Sequence, residues 1–227
     1  MAKNSTCEVV LVRHAHSTAN LKGILAGRNN RIGLSPRGKR EALAIADRLS
    51  GVHFDAIYSS PLKRCLDTIS PYISQQPSDS KRKVNLVEDL IEMEYGQWSG
   101  KPLRQLSKSA LWKSIQSRPS TVRFPNGESF MEMSTRANQA VLKAADGHNR
   151  IAIVSHGDVI KAIVAFHLGM SLDTFQRISV DPASVTILRI PSSQIILLNS
   201  TSHLASTISE VKTTRDRYTL GGGQGRL

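Results

Sequence analysis

The chain has 227 residues, 40% of them apolar, and a net charge of +12, so it can form one α/β domain with a full core and favours anionic partners such as phosphorylated metabolites or nucleic acid. It contains no run of about 18 apolar residues and no hydrophobic signal core near its start, which predicts a cytoplasmic protein without a membrane span. The two cysteines, Cys7 and Cys65, have neither the spacing of metal ligands nor the number needed for a disulfide framework.

The first predicted element is a buried strand that ends in polar residues. Four apolar residues, Val-Val-Leu-Val, run directly into Arg13, His14, His16 and Ser17. Ligands bind outside the carboxyl ends of the strands in open parallel sheets, so this strand end is a candidate phosphate site. A basic, glycine-containing loop over residues 21–33 is predicted to lie on the surface near it, with side chains that either contact distal anionic groups or stay solvated.

A helix and a second strand follow the loop. Ser35 is a good N-cap and Pro36 a good first helical residue, and the apolar positions over residues 42–49 give this helix one buried face. Gly51 supplies a plausible stop. Residues 54–58 then predict a short strand.

The next helix carries an arginine just beyond the end of that strand. We expect the helix to begin at Ser60 or Pro61, which places Arg64 in its first turn. A cation there opposes the helix dipole, so anion binding is favoured over a purely exposed position. Pro71 is expected to kink or end the helix because proline lacks a backbone donor.

The middle of the chain holds a second dense group of polar residues. A polar loop over residues 75–83 and a short strand over 84–87 lead into Asp-Leu-Ile-Glu-Met-Glu-Tyr-Gly-Gln-Trp-Ser-Gly, in which Glu92 and Glu94 are acidic candidates. A helix is predicted over residues 103–115.

The sequence predicts positions for two aromatic residues of this region. Trp112 is predicted to lie on the buried face of the helix, and Phe124, in the following loop, is a packing residue or a lid over the site. The triplet Gly127-Glu128-Ser129 then leads into an amphipathic helix that reaches about Ala145.

A fourth predicted strand has the same pattern as the first. Residues 151–155 are short, continuous and β-branched, and they deliver His156 at their carboxyl end. A helix over residues 159–168 and an antiparallel hairpin of 185–190 with 194–198 complete the predicted elements.

Residues 1–198 are therefore predicted to form one domain, and residues 199–227 a Ser/Thr- and Gly-rich tail. Such a tail buries little apolar surface. We expect it to be mobile or to bind across a neighbouring subunit, which leaves a homodimer open.

These motifs, in this order, resemble the histidine phosphatase superfamily in its phosphoglycerate mutase-like branch. Arg13-His14-Ala15 resembles the opening signature, in which the family usually has glycine in place of Ala15. The Leu-Ser-x-x-Gly, Ser-Pro-Leu-x-Arg, Gly-x-Trp-x-Gly, Gly-Glu-Ser and Ser-His-Gly segments follow in the family's order. The resemblance implies an α/β three-layer sandwich with a mainly parallel central sheet and a site at the strands' carboxyl ends.

The resemblance also implies a reaction and a set of site residues. It implies a phosphomonoester hydrolase that uses a phosphohistidine intermediate, with no metal and no cofactor. His14 would be the nucleophile, kept neutral by the positive charge around it, and Glu92 the proton donor, with Glu94 as the alternative. The phosphate-binding residues would be Arg13, Arg64, His156 as a third positive donor if protonated, Asn20 and Ser17.

The substrate class is less defined. The family's bisphosphoglycerate-dependent mutases carry a longer insertion before the Gly-Glu-Ser segment, so the short segment here favours a monophosphatase over a mutase. The basic loops favour a small phosphorylated metabolite with further negative charge.

Two other functions remain as alternatives. A metal-dependent phosphohydrolase would use His14, His16 and a carboxylate such as Asp158, but two histidines at a spacing of two are a weak signal. A nucleic-acid-binding protein would explain the charge, yet no binding motif is present and aromatic residues make up only 5% of the chain. We therefore expect no nucleic-acid partner.

Overall fold

The computed structural model describes residues 6–77 and 83–204, which form a six-stranded sheet with helices on both faces. The sheet has the order β3-β2-β4-β1-β5-β6. Strands β1 to β4 are parallel to one another, and β5 and β6 add an antiparallel edge. The strands are β1 Cys7–Arg13, β2 Ala56–Ser59, β3 Val84–Leu86, β4 Arg150–Ser155, β5 Val185–Ile190 and β6 Gln194–Ser200.

Helices cover the two faces of the sheet and make three layers. Helices α2 and α3 pack on one face, and α6 and α7 on the other. The helices are α1 Thr18–Lys22, α2 Pro36–Leu49, α3 Lys63–Gln75, α4 Leu103–Leu106, α5 Ala110–Ser117, α6 Phe130–Ala145 and α7 Gly157–His167. The predicted α/β sandwich with a mainly parallel sheet is confirmed. Among the described residues, no helix has the length and apolarity to cross a bilayer.

Burial on both faces explains why the first strand is continuously apolar. Val9 and Leu11 point into the core beneath α6 and α7, whereas Val10 and Val12 point into the core beneath α2 and α3. Successive side chains of a strand alternate between faces, so a central strand between two helix layers needs apolar residues at every position.

The parallel pairing of β1 with β4 sets the position of the polar strand ends. Arg13 lies opposite Ser155 in the register, and His14 donates its backbone N–H to the carbonyl of Ser155 at 2.9 Å. The chain segments that follow these two strands therefore emerge side by side at one edge of the sheet. Strand β2 flanks β4, so the start of α3 reaches the same edge.

The helices differ from the predictions in three places. The short helix α1 was not predicted and overlaps the first two residues of the loop predicted over 21–33. The helix predicted over residues 103–115 is two helices, because Ser109 caps a new start by accepting the N–H of Trp112. Pro71 does not end α3, which continues to Gln75. Ile69 and Tyr72 on either side of Pro71 are buried, and this packing offsets the lost hydrogen bond.

The structure shows where the two aromatic side chains with sequence-based expectations, Phe124 and Trp112, lie. Phe124 is not a lid: it is 1% exposed, with its ring centroid 5.1 Å from that of Tyr95 and 5.4 Å from that of Trp98. Trp112 is half-buried and stacks on Trp98.

The second strand of the predicted hairpin is two residues longer than expected. Strand β6 continues to Ser200, and Arg48 of α2 contacts Ser200 and His203 beyond it. The remainder of the predicted tail, residues 205–227, and the basic residues at 81–82 lie outside the described residues.

Candidate active site

The polar strand ends meet in a small cleft. Its lining includes His14, Arg64 and Glu92. These three side chains are almost fully buried, which is unusual for charged and polar groups without a role in binding or catalysis. The lining residues are His14, Ser17, Asn20, Ile24, Leu25, Ala26, Arg64, Glu92, Tyr95 and Leu103.

The His14 ring is held in one orientation by the backbone. Its Nδ1 lies 2.8 Å from the carbonyl oxygen of Ala15, so Nδ1–H donates and Nε2 keeps its lone pair. Burial, followed by the positive charges of Arg64 and Arg13, holds the pKa of His14 well below its usual range. The imidazole is therefore neutral at neutral pH.

Arg64 brings unsatisfied hydrogen-bond donors to the cleft. Its Nη2 donates to the carbonyl of Gly27 at 2.9 Å and to Nδ1 of His156 at 3.2 Å. Within the described part of the chain, its buried Nε and Nη1 have no hydrogen-bond partner. Leaving the buried N–H donors of a guanidinium without acceptors costs free energy. An anion with several acceptor oxygens would satisfy these donors.

Arg13 lies beside these groups and is fully buried. It donates from Nη1 to the carbonyl of Val180 at 2.6 Å, which fixes the guanidinium at the end of β1. Burial lowers its pKa, and the negative charge of Glu92 acts in the opposite direction.

The protonation state of His156 differs from the one needed for a third positive donor. Its Nδ1 accepts from Arg64, and its Nε2 lies 2.8 Å from Oγ of Ser60, to which it donates. Burial and the charge of Arg64 hold the pKa of His156 well below its usual range. In this structure the ring is therefore neutral, with its centroid 5.2 Å from that of His14.

Of the two acidic candidates, Glu92 faces the cleft and Glu94 does not. Glu92 Oε2 lies 3.7 Å from Nδ1 of His156, and Oε1 accepts the N–H of Met93. Burial, and then the charge of Asp158, raises the pKa of Glu92 to about 7. Glu94 turns outward, where Oε1 accepts the N–H of Gly96 and Oε2 lies 3.6 Å from Arg28.

Ser17 and Asn20 both line the cleft and also build the first helix. Ser17 caps α1 by accepting the N–H of Asn20, and the Asn20 side chain accepts the N–H of Ser17 in return. This capping box fixes both residues at the cleft wall.

The residues of the metal alternative do not converge. His16 Nδ1 pairs with Oγ of Ser35 at 2.8 Å, and Asp158 accepts the hydroxyl of Tyr95 and lies 3.5 Å from Nζ of Lys161. Neither side chain lines the cleft with His14.

Comparison with known proteins places the chain in a family. A model of the histidine phosphatase superfamily (branch 1) matches residues 9–201, which is most of the domain. The chain belongs to this superfamily. It is therefore an enzyme of the phosphatase family that its motifs resemble.

Relatives of this histidine phosphatase have more than one named activity. Phosphoserine phosphatase 1 of Hydrogenobacter thermophilus is 31% identical over 87% of the chain and 94% of the relative. A 2,3-bisphosphoglycerate-dependent phosphoglycerate mutase of Thermoplasma acidophilum is 28% identical over 85% and 92%. A phosphoserine phosphatase from Entamoeba histolytica, solved with 3-phosphoglyceric acid, aligns with a TM-score of 0.76 at 27% identity, covering 88% of this chain and 100% of that one.

The mutase relative weakens one sequence argument. Its length is similar to that of this histidine phosphatase, since the match covers 92% of it. A short central segment therefore does not by itself separate a phosphatase from a mutase.

Several residues around the site were not predicted from the sequence. Thr68 of α3 accepts the N–H of Ala15 at 2.9 Å, and the carbonyl oxygen of Glu92 accepts from both Arg28 and Arg136. The Gly-Glu-Ser triplet was the available signal, because its glutamate, Glu128, bonds both arginines. An alternating or helical pattern in the sequence cannot reveal such contacts between segments that are far apart in the chain.

Proposed function

We propose that this histidine phosphatase is a metal-independent phosphomonoester hydrolase that acts through a phosphohistidine on a small phosphorylated metabolite. One observation carries the proposal. His14, whose Nε2 keeps its lone pair, and Arg64, which has two unsatisfied donors, line the same cleft. A nucleophile beside donors for equatorial oxygens is what phosphoryl transfer requires.

In the first half of the reaction, His14 Nε2 attacks phosphorus as the ester P–O bond breaks. Arg64 and Arg13 stabilise the negative charge on the transferring group. Glu92, whose pKa is raised to about 7, gives its proton to the leaving alkoxide.

In the second half, the Glu92 carboxylate takes a proton from water as the water oxygen attacks the phosphohistidine. The N–P bond breaks, inorganic phosphate forms, and His14 returns to its neutral state. Glu92 is protonated again, so the cycle closes without a net change in the protein.

The charge distribution supports a metal-independent reaction. His14, Glu92 and His156 offer ligand atoms within 4.8 Å of one another, so a cation is a competing occupant. However, Nδ1 of His156 already accepts from the Arg64 guanidinium. A divalent ion at that point would replace this hydrogen bond and face the positive charges of Arg64 and Arg13.

The first experiment measures phosphate release from phosphoserine, 3-phosphoglycerate and p-nitrophenyl phosphate in excess chelator. We expect the parent protein to remain active and to form an acid-labile phosphoenzyme, His14→Ala to lose both properties, and the exposed control His53→Ala to keep both. Activity that disappears with chelator, or that survives in His14→Ala, would refute the mechanism.

A second arm of the same experiment tests mutase activity, which the Thermoplasma relative makes the competing function. Incubation of 3-phosphoglycerate with 2,3-bisphosphoglycerate distinguishes the two. Formation of 2-phosphoglycerate faster than release of inorganic phosphate would replace the hydrolase by a mutase.

A further inference from the structure

A cluster of two arginines and one glutamate holds the backbone around Glu92 through hydrogen bonds. Arg28 Nε donates to the Glu92 carbonyl oxygen at 2.9 Å, and Arg136 Nη2 donates to the same oxygen at 3.2 Å. Glu128 lies between the two guanidinium groups. We call Arg28, Glu128 and Arg136 the carbonyl clamp.

The clamp reaches further along the same segment. Arg136 Nη1 donates to the carbonyl oxygens of Asp89 at 2.7 Å and Ile91 at 2.8 Å. Three carbonyl groups of residues 89–92 are thus directed at the clamp. The segment begins inside the short 3-10 turn Glu88–Leu90 and is followed by the turn Gly96–Trp98. It belongs to no strand or α-helix, so side chains of other elements, such as Arg136 of α6, fix its position.

Glu128 fixes the geometry of both arginines. Its Oε1 accepts from Arg28 Nη2 at 3.0 Å and Arg136 Nη2 at 2.6 Å, and its Oε2 accepts from Arg136 Nε at 3.1 Å. Oε1 also accepts the backbone N–H of Glu94 at 2.9 Å. The Glu128 side chain is only 13% exposed, so its loss would remove the carboxylate that the two guanidinium groups share, while Arg28 would keep its 3.6 Å contact with Glu94.

We propose that Glu128, through Arg28 and Arg136, is a positioning residue that holds Glu92 at the proton-transfer distance from the leaving oxygen. The proposal rests on the proposed function, in which Glu92 is the proton donor. A general acid must lie about 2.6–3.2 Å from the atom it protonates, and a misplacement of about 1 Å can cost about 10²-fold in rate.

This role has a signature that a purely structural role lacks. An alkoxide is a poor leaving group without a proton, whereas p-nitrophenolate leaves readily as the anion. Misplacing the proton donor therefore slows hydrolysis of an alkyl phosphate and spares hydrolysis of p-nitrophenyl phosphate. General damage to the cleft would slow both substrates by similar factors.

The test compares kcat/KM for these two substrates in Glu128→Gln, which keeps the side-chain size and removes the charge. We expect a loss of about 10²-fold on phosphoserine or glycerol phosphate and less than about threefold on p-nitrophenyl phosphate. The matched control is Glu132→Gln, because Glu132 follows on α6 and pairs with exposed Arg123 away from the clamp. It should leave both substrates unchanged.

Arg28→Lys is the second variant, since Arg28 is partly exposed and its replacement is less demanding for folding. It removes the bonds to Glu92 and Glu128 and should show the same selective loss. Equal losses on both substrates, or no loss on the alkyl ester in either folded variant, would overturn the proposal.

Glu92→Gln, assayed in parallel, separates this proposal from the proposed function. If Glu92→Gln loses activity selectively on the alkyl ester and Glu128→Gln does not, only the positioning role fails. If Glu92→Gln shows no selectivity, the proton-donor assignment fails with it.

Discussion

Burial of Glu92 and the charge of Asp158 together should decide the pH above which this histidine phosphatase loses activity. Asp158 is fully buried behind the cleft, and its charge is the largest electrostatic contribution that raises the pKa of Glu92 to about 7. Because Glu92 must be protonated to act as an acid, kcat/KM on an alkyl phosphate should fall above pH 7. At pH 9 about 1% of Glu92 is protonated, so the rate should be about 100-fold below its plateau.

The substitution Asp158→Asn removes that charge and keeps an acceptor for the hydroxyl of Tyr95, which now donates to Asp158 at 2.8 Å. Arg64 and Arg13, which lower the pKa of Glu92, stay in place, so this pKa should fall. The alkaline limb should then begin at lower pH, and each unit of decrease costs a further tenfold at pH 9.

The assay is kcat/KM against pH for parent and variant on one alkyl phosphate, so that ionisation of the substrate cancels. Loss of one partner from the buried pair with Lys161 costs about 3–5 kcal/mol, so measurements belong well below the unfolding temperature, with circular dichroism as the check on folding. An alkaline limb that stays in place or moves to higher pH would refute the electrostatic reasoning.

Three further predictions follow from the same structure. Arg64→Lys should lower kcat/KM by about 10²–10³-fold, because the ammonium of lysine lacks the planar donor fork that binds phosphate bidentately; steady-state kinetics would test it, and an unchanged rate would contradict the assignment. Phe124→Ala should destabilise the fold by about 3–5 kcal/mol in denaturant unfolding, whereas the exposed Phe166→Ala should stay within about 0.5 kcal/mol. Gly38→Ala should cost about 1–3 kcal/mol or more in the same measurement, because its Cβ would lie 2.0 Å from the carbonyl oxygen of His16; a neutral effect would mean that this contact can relax.

The strand ends were predictable because their signal is local. An apolar run that stops at Arg13 and His14, and another that stops at His156, indicate where two buried strands reach a polar edge. The topology rule for parallel sheets then places these residues together without knowledge of the register.

The features that the sequence did not reveal depend on contacts between distant segments. The protonation of His156 depends on Arg64 and Ser60, which come from another strand-helix unit, so the expected positive charge could not be tested from spacing. The continuation of α3 through Pro71 likewise depends on burial of its neighbours rather than on local propensity.

The contact between β1 and β4 also has a consequence for the order of folding. His14 and His156 come from opposite ends of the domain, and only the pairing of these two strands brings them together. Closing such a long loop is slow compared with the formation of local helices. During refolding, phosphatase activity should therefore recover later than the helical circular dichroism signal. The return of enzymatic activity would then report when β1 pairs with β4 at the centre of the sheet.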